Sequence, residues 1–420
     1  MRNNIKYKNL YRWGILCISV CFILIFPLYS LGVENKYLPL IIMMAFSPLV
    51  IILERYKPDK NLIYLMAVLL LMFLGGKVKH PETFRMNSFV YTIAFFSLFL
   101  SFDTVLQKRA IPVIRFGKFL KFLIYAYAIV LFIQQLEVLL GVSEPINLTF
   151  FGGRDENPYK LNSLAIEPSN LGMIMPCVMY CYMKVQELLR NETKYNPKHI
   201  LHDDLKVWLL FLYATLGCGS MTSFFSVAAL ALYFVNNRNI RYIPIIAFLL
   251  IGIIYGLMKI SPKMNDRIQN LFNTSFTSAD MIVDTDASSS VRIVPYILYF
   301  KSFDVDSETF FGHGMDALEN EANANILTKE RLLNDERVGA DSLINTFYDY
   351  GLICGFLFLI FILRNITPKF KSFETLFYFL VYLMLPMNHF VLWGVIFSMM
   401  TIKQYTILNS KTKRVIINER

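Results

Sequence analysis

Few side chains in this sequence invite chemistry, and the clearest are carboxylates set among apolar neighbours. Glu167 stands in Leu164-Ala-Ile-Glu-Pro-Ser-Asn-Leu-Gly172, at the head of an apolar run. A charge within hydrocarbon is costly unless a cavity or a partner receives it, which makes such a residue a functional candidate. Pro168 and Gly172 loosen the first helical turns and would let the carboxylate sit at a water-facing kink. The ordinary reading has equal standing: Glu in a first turn and Pro near the first position simply start a helix. Glu137 lies near the outer end of another run, within reach of the interface. Asp103, close to Lys108 and Arg109, is expected to be a solvated border charge. Cys17, Cys21, Cys177, Cys181, Cys218 and Cys354 all fall within apolar runs, away from segments where an oxidising compartment would use disulfides. The i, i+4 pairs Cys17/Cys21 and Cys177/Cys181 have a spacing that suits a metal, but packing as small residues between helices is preferred, and no metal is expected.

The elements that must carry these groups are membrane helices. The chain has 420 residues, 55% hydrophobic, 15% aromatic and 17% charged, with mean hydropathy +0.47. A soluble surface cannot be built from that composition. Runs of roughly 15 to 22 apolar residues, each long enough to cross a hydrocarbon core, recur almost to the C-terminus, and about twelve are expected. They cover 13–31, 37–53, 61–76, 88–106, 119–141, 164–185, 206–219, 220–235, 242–259, 342–363, 374–389 and 390–407. The stretches 206–235 and 374–407 allow two short helices, one tilted helix or a re-entrant pair. The expected fold is all-α, one polytopic membrane domain over 1–420, with a first substantial outer loop at 142–163 and a large polar outer loop at 261–341 before the last three spans.

Lysines and arginines give the orientation, because short cytoplasmic loops are enriched in them. With the N-terminus inside, the inner segments hold Arg2, Lys6, Lys8 and Arg12, then Arg55, Lys57 and Lys60, then Lys108, Arg109, Arg115 and Lys118. Later inner segments hold Arg190, Lys194, Lys198 and Lys206, then Arg238 and Arg241, then Arg364, Lys369 and Lys371. Both termini are therefore expected in the cytoplasm. Most of the net charge of +10 is placed at the inner leaflet, where anionic lipid attracts it, and nucleic acid is not an expected partner. The first span lacks a small-residue cleavage site and is expected to be retained as a helix.

Four further pieces make the order of features resemble the O-antigen polymerase and ligase family. The first is the segment Arg154 to Gly172, with a basic residue, a serine and Glu-Pro-Ser at the head of a helix. The second is Gly219-Ser220-Met-Thr-Ser223, similar to the family's serine-bearing junction. The third is Ser288-Ser-Ser-Val-Arg292 followed by Phe311-Gly-His-Gly314, similar to a loop arginine and a Gly-x-Gly. The fourth is Ala340-Asp-Ser-Leu-Ile-Asn345 leading to Tyr350-Gly351. The junction at 220–223 lacks the arginine that many relatives carry. Asp341 stands where ligase-like members often have histidine, which favours the polymerase branch.

The resemblance implies a GT-C-like membrane glycosyltransferase that joins undecaprenyl-diphosphate-linked repeat units into an O-antigen-like or capsule-like polysaccharide on the outer face of a bacterial inner membrane. No cofactor, metal or nucleotide sugar is implied. The partners would be lipid-linked oligosaccharide donor and acceptor and membrane lipids, with a chain-length regulator as a further candidate. Breaking an anomeric bond to a lipid diphosphate develops charge on phosphate. Arginine holds phosphate bidentately, so Arg292 is the first candidate and Arg154 the second, with Lys160 the alternative at the first basic position. Glu167 is the candidate base or hydrogen-bond acceptor for the attacking hydroxyl. His313 would orient phosphate or sugar, or be a solvated turn residue. Asp341 would contact substrate or cap the next helix. Aromatic residues around both outer loops would stack on sugars or anchor at the interface. An O-antigen ligase is the nearest alternative. A flippase for the same lipid-linked glycans is the alternative of another class, disfavoured because polar features gather on one face rather than near the midplane of related halves.

Overall fold

The computed structural model describes residue 26 and residues 38–108, 111–142, 161–235, 296–297, 299–301, 303–318, 320 and 342–411. These residues form helices and turns, with no strand among them. In chain order the helices are α1 (Leu38–Leu53), α2 (Lys60–Met72, continued by a π-helical turn, Phe73–Lys79), α3 (Met86–Lys108) and α4 (Val113–Leu139). Then come α5 (Pro168–Arg190), α6 (Lys198–Leu201), α7 (Leu205–Gly217) and α8 (Met221–Ala231, closing in a 3-10 turn, Leu232–Phe234). The last are α9 (Ser307–Phe311), α10 (Leu343–Ile366), α11 (Phe373–Phe377, continued by a π-helical turn, Tyr378–Tyr382) and α12 (Phe390–Lys411).

Five of them are long and apolar enough to cross a membrane: Lys60–Lys79, Met86–Lys108, Val113–Leu139, Leu343–Ile366 and Phe390–Asn409. They match the expected spans at 61–76, 88–106, 119–141, 342–363 and 390–407. The expected spans at 13–31, apart from Phe26, and at 242–259 lie outside the described residues. The remaining expected spans appear as shorter apolar helices or, at α5, as a helix of full length but mixed composition.

Local sequence explains the boundaries. Asp59 caps α2 by accepting the Leu62 N–H at 3.1 Å. Pro112 precedes α4, and Pro168 occupies the first turn of α5, where its missing N–H costs nothing. The stretch 206–235 resolves into two helices, because Gly219 takes a φ of 65° and turns the chain between them. The stretch 374–389 is helical only to Tyr382; Pro386 follows and cannot continue a helix. α5 starts at Pro168, so the expected span at 164–185 is displaced toward the C-terminus and Glu167 stands at the head of the helix rather than inside it.

Packing separates the helices that meet lipid from those that meet protein. On α4, Phe122, Ile129, Phe132, Ile133 and Leu136 are exposed along one stripe, and α1 leaves Ile41, Phe46, Leu49, Ile52 and Leu53 bare. Apolar stripes of that size on a folded surface are covered by hydrocarbon, which marks a membrane-associated protein. α5 is the reverse case: every residue from Ser169 to Met183 is buried. It has less need of apolar side chains because α4, α8 and α12 surround it instead of lipid. α3 meets α10 and α12 through an aromatic seam, with ring centroids of Phe102 and Phe397 at 4.6 Å, Phe99 and Phe361 at 4.7 Å, and Phe95 and Trp393 at 5.5 Å.

Candidate functional site

The four sequence pieces, so far as they are described, come together in two pairs at one end of the bundle. The first pair joins the entry of α5 to the turn between α7 and α8. Before α5, the Ser163 N–H donates to Gln134 Oε1 at 2.8 Å, and Ser163 Oγ donates to the Tyr127 carbonyl at 2.6 Å. The next residue of α4, Gln135, donates through Nε2 to the Gly217 carbonyl at 3.1 Å, and Tyr213 Oη donates to Gln135 Oε1 at 2.5 Å. Adjacent glutamines therefore pin both the start of α5 and the end of α7. A Cβ at Gly172 would meet the Ser223 backbone nitrogen at 2.7 Å and its Cα at 2.9 Å, so only glycine allows this approach. Cys218 Sγ lies 3.1 Å from Ser223 Oγ.

Glu167 occupies the N-cap of α5, with extended backbone at φ −132° and ψ 154°. Its carboxylate makes no cap hydrogen bond; it accepts from Ser169 Oγ at 3.0 Å and is otherwise open to the surroundings. An exposed carboxylate in this position faces the medium and can meet a ligand there.

The second pair joins the Gly-His-Gly segment to the middle of α10's first half. Gly351, at φ 84° and ψ 162°, breaks the helix. The break frees the carbonyls of Tyr348 and Asp349, which have to be satisfied by other donors. His313 N–H donates to the Tyr348 carbonyl at 3.1 Å, and Gly314 N–H donates to the Asp349 carbonyl at 3.1 Å. The backbones interlock through glycine: a Cβ on Gly312 would meet Tyr350 Cα at 2.7 Å, and one on Gly351 would meet the Phe311 nitrogen at 2.6 Å. The buried Asp349 carboxylate then accepts the N–H groups of Asp316 at 3.2 Å and Leu318 at 3.1 Å. His313 is thus not a solvated turn residue. Its ring stacks on Tyr348 with centroids 4.1 Å apart and planes 7° apart.

The turn between α2 and α3 completes this second pair. Gly314 packs on His80 and Thr83, and Arg85 Nη1 reaches Asp316 Oδ2 at 3.0 Å. Glu308 stands between Lys79 Nζ and His313 Nε2, at 3.9 Å from each. Asp306 caps α9 through the Thr309 N–H at 2.8 Å, and that bond holds its carboxyl below the usual carboxylate range.

The segment that follows α11 links the two pairs. Tyr382 Oη donates to the Met173 carbonyl at 3.0 Å, while the Leu383 carbonyl accepts the Leu343 N–H at 3.0 Å and Tyr296 Oη at 3.2 Å. Both π-helical turns, Phe73–Lys79 and Tyr378–Tyr382, lie at this end, and such turns are frequent at functional sites.

Arg292, Arg154, Lys160 and Asp341 lie outside the described residues. The N-cap position of α10 is Ser342, whose side chain makes no cap hydrogen bond; its Oγ donates to Asn345 Oδ1 at 3.0 Å. Asp103 also differs from expectation. It is buried rather than solvated, and accepts Asn61 Nδ2 at 3.1 Å and Gln107 Nε2 at 2.9 Å, while Asn365 Nδ2 donates to Asn61 Oδ1 at 3.2 Å. Cys177 and Cys181 are buried inside α5, as packing residues are. Carboxylates at the opposite end tie connections together: Asp204 accepts Tyr182 Oη at 2.7 Å, Tyr195 Oη at 2.6 Å and Arg190 Nη2 at 3.0 Å.

Asp349, Glu308 and Lys79 were missed in the sequence. Asp349 carried a readable signal, since it is a carboxylate inside the expected span 342–363. Comparison with models of protein families, with curated proteins and with solved structures finds no match to this chain.

Proposed function

We propose that this chain is a metal-independent membrane glycosyltransferase that polymerises undecaprenyl-diphosphate-linked oligosaccharide repeat units. The proposed setting is the outer face of a bacterial inner membrane. The proposed architecture is GT-C-like with about twelve spans, both termini cytoplasmic, and the loop-bearing end of the bundle facing outward. The observation that carries the reading is the convergence of the described parts of the four motif pieces, 161–172, 219–223, 311–314 and 342–351, at one end of the bundle. A lipid-anchored donor diffuses in the membrane plane, and chemistry on its headgroup belongs where helix ends meet water.

In the proposed reaction an acceptor-sugar hydroxyl attacks the anomeric carbon of the donor. Its oxygen forms the new glycosidic bond, the anomeric bond to the diphosphate breaks with its electron pair leaving on the phosphate oxygen, and the hydroxyl proton passes to a carboxylate. Glu167 is the residue assigned to receive that proton. Arg292, with Arg154 or Lys160 in support, is assigned to the diphosphate, where fixed positive charge stabilises the leaving group.

The test is the surface-polysaccharide ladder of cells with the gene disrupted, then complemented with the wild type, Arg292→Ala or Glu167→Gln, with membrane abundance checked. A polymerase leaves single-repeat glycan attached on disruption, and both variants fail to restore the ladder at normal abundance. Loss of all attached glycan assigns the chain to ligase or flippase instead, and an unchanged ladder overturns the reading.

A further inference from the structure

We propose that His313 Nε2 and Glu308 Oε2 form a two-acceptor site for adjacent hydroxyls of a sugar ring, and that Asp349 is the positioning residue that holds His313 in register. The sugar assignment rests on the glycan-polymerase reading above; the state of the His313 ring does not.

The ring is fixed by the break in α10. His313 Nδ1 lies 3.2 Å from the Tyr348 carbonyl, which also accepts the His313 backbone N–H. A carbonyl oxygen only accepts and has two lone pairs for these two donors, so Nδ1 carries the hydrogen. In the neutral ring Nε2 is then a bare acceptor. Turning the ring over would put a C–H against the carbonyl and lose the bond, and the stack on Tyr348 holds its plane.

Nε2 faces Glu308 Oε2 at 3.9 Å, beyond the 2.7–2.9 Å of a charge-assisted hydrogen bond. Two acceptors across such a gap do not satisfy one another; a group that brings two donors satisfies both. Neighbouring hydroxyls on a sugar ring have that form. Lys79 Nζ lies 3.9 Å from the other oxygen of Glu308 and adds positive charge beside it. The two side chains remain accessible, at 20% exposure for His313 and 44% for Glu308. Phe310 and Phe311, exposed beside them, offer apolar surface to the faces of a sugar. Asp349 acts through the backbone: it gathers the N–H groups of Asp316 and Leu318 and thereby seats the turn that follows His313.

The ring state is read by 15N NMR of the full chain labelled with [15N]histidine in nanodiscs, at about pH 8, above the ordinary imidazole range. The His313 signals are identified by their loss in His313→Phe, which keeps the stack and removes both nitrogens. The expected result is a protonated Nδ1 and an unprotonated Nε2, with tautomers mixing in Asp349→Ala and less so in Asp349→Asn. A protonated Nε2 in the wild type, or His313 signals unmoved by both Asp349 variants, overturns the ring assignment.

The sugar assignment is read by in vitro polymerisation with lipid-linked repeat extracted from the producing cells. His313→Phe and Glu308→Gln are each expected to raise KM by about 10-fold or more, with a smaller change in kcat. An unchanged KM in both overturns the sugar site while polymerisation by the wild type stands. A wild-type protein with the expected ring state and no polymerisation overturns the function, and the sugar assignment with it.

Discussion

Asp103 shows how a charged residue can change meaning once its neighbours are placed. Beside Lys108 and Arg109 in sequence it reads as a border charge. In the structure it accepts amide donors from Asn61 on α2 and Gln107 on its own helix, and Asn61 accepts in turn from Asn365 on α10. An unpaired amide in an apolar interior costs about 1–3 kcal/mol, so Asp103→Ala is expected to destabilise the protein by that order for each stranded donor. Asp103→Asn keeps an acceptor oxygen and is expected to lose less. Thermal unfolding of both variants in detergent checks this, and equal stability of Asp103→Ala and wild type would show that the network contributes nothing. Glu167 changes less: the ordinary helix-start geometry is what it adopts, but the side chain is left to face the medium instead of capping.

The elements follow rules of length and composition until glycine or proline intervenes. α10 has the expected extent, yet its break at Gly351 is what creates the docking place for residues 310–318. The connection from α5 to α7 carries a pH-sensitive contact of another kind. His199 Nε2 lies 2.8 Å from Glu192 Oε1, and its Nδ1 lies 2.9 Å from Asp203 Oδ2. The hydrogen bond to Glu192 first, then that to Asp203, raises the His199 pKa above its ordinary value of 6.5. A raised folded value means a stabilising contribution fully present below the unfolded value and lost as pH rises through the folded one. The midpoint of thermal unfolding is therefore expected to fall as pH rises from 6.5 through the higher folded value, and His199→Gln is expected to flatten that slope. A slope unchanged in the variant would assign the pH response to other groups.

At the scale of the whole molecule, helices are sorted by what covers them. α1 and α4 present apolar stripes outward, whereas α5, with serine, asparagine, proline and tyrosine, is enclosed by other helices. The proposed orientation puts the loop-bearing end outside, and it is testable without any activity. In a chain whose native cysteines are replaced, Glu308→Cys is expected to react with a membrane-impermeant maleimide in intact spheroplasts, and Lys198→Cys only after permeabilisation. The reverse pattern would invert the topology and move the candidate site to the cytoplasm.

Composition and apolar runs alone determined that the described residues are helical and membrane-associated, and they located five long helices, because crossing hydrocarbon imposes length and apolarity on each segment by itself. They did so least well at the start of α4, which begins at Val113 rather than 119. Gly219, Gly312, Gly314 and Gly351 stood out only as parts of the four motif pieces. Sequence could not pair these features. Gly172 meets Ser223, Gly351 meets Phe310 and Phe311, and Tyr382 meets Met173 through contacts between residues far apart in the chain. Only the tertiary structure decided that His313 is stacked rather than solvated, that Asp103 is buried rather than bordering, and that Glu308 and Asp349 belong beside His313. A side chain's partners depend on where other helices end, and nothing within one helix's own sequence records that.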